Sequence, residues 1–223
     1  MKTKSIFLTF LFLLVQCLVA QNDKEANMGS WYMLHSKHQF NSNWSIQTGI
    51  QERNFETVSN YNLFLAYLGM NYKISEKWTT TIGYGILDID RVFNKDNSPN
   101  VLEHRFFEQF TYSTKHLKTP FSHRFRLEHR NLHFNDSNDF VNRFRYRIQG
   151  KLKFSNSFYL KMSNEIFFEL NSNSFNENRW YNGFGYALND TVSIETGYLK
   201  QHINQLNLNR LQVGLFLSTK AKP

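Results

Sequence analysis

The runs FSHRFRLEHRNLHF (residues 121–134) and FVNRFRYRIQGKLKF (residues 140–154), separated by Asn135-Asp136-Ser137-Asn138-Asp139, decide how the rest of this chain is read. In the first, Arg124, Arg126, Glu128 and Arg130 share one parity and Phe121, Phe125 and Leu127 the other, with Leu132 and Phe134 breaking the register near the turn. In the second, Arg143, Arg145, Arg147, Gln149 and Lys151 oppose Phe140, Phe144, Tyr146, Ile148, Leu152 and Phe154. Successive strand side chains point to opposite faces, so each run is a β-strand with one apolar and one densely charged face. A helix would scatter the arginines around its axis.

The same period-two pattern recurs on both sides of this hairpin. Trp44, Ile46, Thr48 and Ile50 alternate with Ser45, Gln47, Gly49, Gln51 and Arg53, and Trp78 to Ile86 alternates with Thr79, Thr81, Gly83 and Gly85. Eleven such segments follow one another: Trp31–Phe40, Trp44–Arg53, a strand ending at Tyr72, Trp78–Ile86, Leu102–Thr114, the two central runs, Phe158–Leu170, Arg179–Leu188, Val192–His202 and about Asn207–Thr219. At about 10–14 residues they exceed the usual length of about 5–6 for strands in soluble proteins. Short turns after Phe40, Tyr72, Phe154 and Leu188 alternate with generally longer polar loops after Arg53, Ile86 and Leu170. Trp44, Trp78 and Phe158 each open a strand just after a short turn, as in an interfacial aromatic girdle. The pattern is that of a transmembrane antiparallel up-and-down β-barrel, with short turns on the periplasmic side. A soluble β-sandwich with an aromatic core is the weaker account of such long strands. Because bacterial barrels of this kind have an even number of strands, ten or twelve are expected: either residues 21–30 add a short twelfth strand or cross the lumen, or Trp31–Phe40 is not a full strand and ten remain. Glu108 falls on the apolar parity, which a bulge or an interfacial position would accommodate.

Composition agrees with this class. Phe 22, Tyr 11 and Trp 4 accompany only 41% hydrophobic residues and a mean hydropathy of −0.52, because a barrel confines its apolar residues to every second position. Lys2 and Lys4, the apolar run from Ile6 to Val15 and on through Ala20, and the polar Gln21-Asn22-Asp23 form a secretory signal peptide over residues 1–20. Residues 21–223 then form a single barrel domain. Cleavage after Ala20 removes two lysines and no acid, taking the net charge from +8 to +6, and removes Cys17, the only cysteine. Disulfide and cysteine chemistry are thereby excluded from the mature chain.

Several local motifs carry a family resemblance: Gly29-Ser30-Trp31-Tyr32, Glu103-His104-Arg105 with Gln109, HRFRLEHR at 123–130, Arg143-Phe144-Arg145-Tyr146, Asn164-Glu165-Ile166-Phe167-Phe168, Asn178-Arg179 and Gly197-Tyr198-Leu199. Over nearly the whole mature chain the sequence resembles an uncharacterised family of Bacteroidota outer-membrane β-barrels, domain of unknown function 2490. The resemblance implies an outer-membrane location and a barrel fold. It implies no reaction and carries over no functional residues.

The candidate site is the charged inward face: Arg53, Glu103, Arg105, Arg124, Arg126, Glu128, Arg130, Arg143, Arg145, Arg147, Glu165, Glu169, Arg179 and Glu195. In a narrow lumen these side chains would pair across strands as a structural plug. Since arginines outnumber acids, they would alternatively line a narrow anion-preferring pore. Inward glycines, among them Gly49, Gly83, Gly85, Gly183, Gly185, Gly197 and Gly214, would leave room for bulky arginines opposite or mark bends. No catalytic, cofactor-binding or metal residues are assigned. His129 and His133, with Asp136 and Asp139 nearby, read as interfacial side chains and not as a metal site. Arginines alternating with outward aromatics in an exported barrel exclude nucleic acid as partner. The expected partners are outer-membrane lipid and lipopolysaccharide, protein partners being left open. The alternative activity is a membrane-embedded lipid-modifying hydrolase, for which Ser36 and His38 are the same-face serine and histidine two residues apart. The leading reading is non-enzymatic. It predicts recovery with outer membranes and an unboiled gel band that migrates differently from the boiled one. Recovery in the soluble periplasmic fraction would refute it.

Overall fold

The computed structural model describes residues 23–93, 98–116 and 119–221, so the leader expected over residues 1–20, with Cys17, lies outside the described residues. One helical turn, α1 (Asp23–Ala26), precedes eleven strands: β1 (Met28–Gln39), β2 (Trp44–Asn54), β3 (Tyr61–Lys73), β4 (Trp78–Ile89), β5 (Val101–His116), β6 (Thr119–His133), β7 (Asn138–Lys153), β8 (Phe158–Glu169), β9 (Ser174–Ala187), β10 (Val192–Ile203) and β11 (Leu206–Lys220). Each strand pairs antiparallel with its sequence neighbours, and β11 closes the barrel onto β1.

That seam corrects the expected count of ten or twelve. β1 and β11 run parallel, Met28 opposite Asn209 and Gln39 opposite Lys220. Antiparallel closure demands an even number of strands, but a parallel ladder joins first and last strands that run the same way, so eleven suffice. Residues 23–26 add no strand. Instead α1 packs on β11, where the Asn207 backbone N–H donates to Glu25 Oε1 and Asn209 Nδ2 donates to the Glu25 carbonyl at 3.2 Å. With an odd number of strands, Met28 lies at the long-loop end and Lys220 at the short-turn end.

Several local expectations change. β4 continues to Ile89, and β9 begins at Ser174, five residues before the expected Arg179. β5 and β6 pair down to His116 opposite Thr119, beyond the expected strand limits at Thr114 and Phe121. Leu132 does not break the register; it faces inward on β6 and is 3% exposed. Glu108 lies in unbroken ladders, opposite Ile82 on one side and Leu127 on the other, so no bulge accommodates it. Its carboxylate faces outward, 4.0 Å from His129 Nε2. The register shifts occur elsewhere, at Arg53/Asn54 and Phe167/Phe168.

The inward glycines make room for aromatic rings, and this too corrects the expectation. A Cβ on Gly83 would come within 2.6 Å of Phe107 Cε1, and the ring of Tyr159 lies across Gly185 in the same way. Bulky rings thus lie flat against the wall and fill a lumen too narrow for side chains from every position.

The outward face is apolar around the barrel, with Ile50, Leu68, Ile82, Phe110, Phe144, Ile166, Phe184 and Leu215 all exposed. Near the short-turn end, aromatic rings pair across neighbouring strands: Trp44 with Tyr72 at 4.7 Å, Trp78 with Tyr112 at 4.7 Å and Phe158 with Tyr186 at 4.8 Å between centroids. In a bilayer, Phe144→Arg or Leu127→Arg should cost about 2–4 kcal/mol near the midplane. Gln149→Lys, on the inward face, should cost less. Urea unfolding from lipid vesicles measures the difference, and equal losses at all three positions would contradict the assigned facing.

Candidate functional site

The central hairpin β6–β7 builds the site. Three inward pairs stand directly opposite one another: Arg124 with Arg147, Arg126 with Arg145, and Glu128 with Arg143. Like charges placed opposite in a ladder repel, so the hairpin needs carboxylates from its neighbours. β5 supplies Glu103 and β8 supplies Glu165 and Glu169.

The resulting contacts form a lattice. Arg130 grips Glu103 in a two-pronged contact, Nε to Oε1 at 3.0 Å and Nη2 to Oε2 at 2.8 Å, while Arg105 Nε donates to Glu103 Oε1 at 2.7 Å. Arg143 donates to Glu128 Oε2 from Nε at 2.9 Å and Nη2 at 2.6 Å, and Arg145 bridges Glu128 Oε1 to Glu165. Arg126 and Arg105 approach the same Glu128 oxygen at 3.5 and 3.7 Å. Arg124 also donates to Glu165, and Arg130 lies 3.7 Å from Glu169. Glu103 and Glu128 are 0% exposed. Carboxylates so far from water require charge-assisted partners of this kind.

Two smaller groups flank the lattice. Toward the long loops, Arg53 lies on the Trp31 ring at 3.5 Å, and Glu177 accepts from Arg179 Nε and, at 2.7 Å, from Gln201 Nε2. Arg210 donates to Gln201, to the Asn54 carbonyl and to Asn62 Oδ1. Toward the short turns, Glu195 accepts from Tyr159 Oη at 2.8 Å and Lys161 Nζ at 2.7 Å. Beyond it, Thr81, Asn71 and Ser45 form a buried chain, Thr81 Oγ1 to Asn71 Oδ1 at 2.7 Å and Asn71 Nδ2 to Ser45 Oγ at 3.2 Å.

All fourteen residues singled out from the sequence lie on the inward face. All but Glu128 and Glu195 line a cavity of about 920 Å³ that runs from Lys24 and Arg91 at the long-loop mouth to Gln149, Lys161 and Phe216. The cavity does not reach Ser45, Asn71, Thr81 or Tyr159. Sequence reasoning left out Glu177 and Arg210. Glu177 fell outside the expected start of its strand, although it precedes Arg179 by two residues and so shares its parity; Arg210 lies between Leu208 and Gln212 in the last strand's alternation.

Among the described residues, no three His, Cys, Asp or Glu side chains gather in metal-binding geometry. His129 and His133 face outward and hydrogen bond to Asn142 and Asn138 at 2.7 and 2.8 Å, whereas Asp139 borders the cavity on the opposite face of the sheet. Ser36 faces outward, and His38 Nδ1 is 2.7 Å from Thr219 Oγ1.

A family model described as "Protein of unknown function (DUF2490)" matches residues 28–212. No curated protein matches the sequence. Among solved structures, the NanC porin in a rhombohedral crystal form is similar with a TM-score of 0.50 at 11% identity, over 81% of this chain and 93% of that one. At that identity the likeness is one of fold.

The lattice makes a quantitative prediction. Glu128→Gln leaves Arg143 and Arg145 facing each other without their shared carboxylate and should destabilise the barrel by about 3–5 kcal/mol. Arg53→Gln, which breaks no ion pair, should cost clearly less. Urea unfolding of the refolded protein compares them, and equal losses would mean that the lattice does not hold the barrel together.

Proposed function

The chain belongs to the DUF2490 family of unknown function, and from that premise and the geometry of its lumen we propose a non-enzymatic outer-membrane β-barrel, largely structural, whose cavity ends blind near the short turns. The observation that carries the membrane reading is the inversion of polarity: charged side chains fill the interior while aliphatic and aromatic side chains cover the outside. Water penalises so large a continuous apolar exterior, whereas hydrocarbon favours it and requires the closed backbone ladder that a barrel provides. Outer-membrane lipid and lipopolysaccharide are the proposed surroundings.

The blind end rests on the buried Thr81–Asn71–Ser45 chain and on Tyr159, 4% exposed, none of which lines the cavity. A narrow anion-preferring pore is the second reading, favoured by the surplus of arginine over carboxylate along the wall. The packed layer weighs against it. A lipid hydrolase draws less support, because the outward His38 bonds to Thr219 and no carboxylate is among its hydrogen-bond partners. Planar-bilayer recordings separate the first two readings: the blind barrel should give little conductance, and a steady anion-selective current would replace it with the pore. Turnover of phospholipid or lipid A that disappears in Ser36→Ala would overturn the non-enzymatic reading.

A further inference from the structure

We propose that the inner end of the lumen is an anion-binding site, centred on Arg147, for the phosphate or carboxylate group of a soluble molecule entering at the long-loop mouth. Arg147 stands opposite Arg124 on β6 and opposite Glu165 on β8. Glu165 is already engaged by Arg124 and Arg145. Among the described residues Arg147 has no ion pair within 4.0 Å, and its Nε, like those of Arg53 and Arg124, is buried without a hydrogen-bond partner; Arg53, however, lies on the Trp31 ring and donates from Nη2 to Gln51 Oε1 at 3.2 Å. Two guanidiniums at directly opposed ladder positions repel, and a cation partly withdrawn from water without a counter-charge is costly. An oxyanion answers both problems, because the planar guanidinium fork matches phosphate and carboxylate oxygens in pairs.

The surroundings fit such a guest. Gln149 and Ser163, opposite each other across β7 and β8, line the same part of the cavity, and their side chains make no hydrogen bond to the described protein. The Tyr67 hydroxyl, 2.6 Å from His35 Nδ1, lines it from the other wall. Lys24, Arg91 and Arg130 border the way in, so the approach is positive and draws anions inward. A lipid headgroup is the other source of phosphate, but the closed strand ladder separates this site from the outer surface.

The proposal rests on the barrel fold and not on the blind end, so conductance and binding are read separately. The test is calorimetric titration of inorganic phosphate, and separately of acetate, into detergent-purified full-length protein at constant ionic strength. Wild type should bind one phosphate saturably. Arg147→Gln should weaken that affinity on the order of tenfold or more. It should also raise the thermal midpoint measured without phosphate, since repulsion from Arg124 is relieved. Arg53→Gln should retain the binding, and doping the micelles with an anionic phospholipid should leave it unchanged. Absence of saturable binding to wild type, unchanged affinity in Arg147→Gln, equal loss in Arg53→Gln or competition by the phospholipid would each overturn the proposal. Should Arg147→Gln fail to give a heat-modifiable, folded band, Arg147→Lys replaces it. Lysine keeps the charge but loses the fork, and undiminished phosphate affinity in that variant would overturn the proposal equally.

Discussion

The wholly buried carboxylate of Glu128 is the constraint on which the central wall depends. Deprived of water, it is tolerable only because Arg143 and Arg145 donate to it directly and Arg105 and Arg126 stand within 4 Å. Those arginines come from β5, β6 and β7, so one side chain ties three strands together. A slip of one residue between any two of them would carry the arginines to the apolar outside and abandon the carboxylate. Electrostatics therefore specifies the register here, where a soluble sheet would rely on its hydrophobic face.

Around that lattice the lumen is filled by flat contact. Phe107 and Phe167 are nearly or wholly inaccessible, and guanidiniums lie over them: Arg126 at 4.2 Å from the Phe107 centroid, and Arg145 and Arg179 each at 4.4 Å from that of Phe167. Cations held over ring faces gain cation–π attraction and keep their N–H edges free for carboxylates. Gly83 on the neighbouring strand lets the Phe107 ring lie against the wall. The parallel seam then removes the last free edges, which in a hydrocarbon environment would leave unpaired N–H and C=O groups.

Polarity is distributed unevenly along the barrel axis, and this shapes what the interior can do. In the middle every carboxylate is engaged, Glu103, Glu128 and Glu165 each being shared by at least two arginines. Toward the short turns the ladder places Arg124 opposite Arg147 with a single carboxylate nearby that is already committed, so positive charge is left over at the inner end of the cavity. Nearer the short turns Lys161 pairs with Glu195, and Ser45, Asn71 and Thr81 satisfy one another. A basic mouth leading to a basic inner end favours anionic guests over cationic ones.

The local alternation of residues 121–154 was enough to determine strand type, the direction each side chain faces and the charged lining, because a period of two is a property of the chain itself. The apolar exterior is legible for the same reason. The number of strands, the pairing of each arginine and the shape of the cavity were not. Eleven strands close only because β1 meets β11 in parallel, a relation between residues about 180 positions apart that no local pattern encodes. Likewise, parity puts Arg145 and Arg147 on one face with equal right to Glu165. The register even sets Arg147 directly opposite Glu165, yet only the tertiary structure gives Arg145 two carboxylates and Arg147 none, because pairing depends on which strands stand side by side and how far each guanidinium reaches.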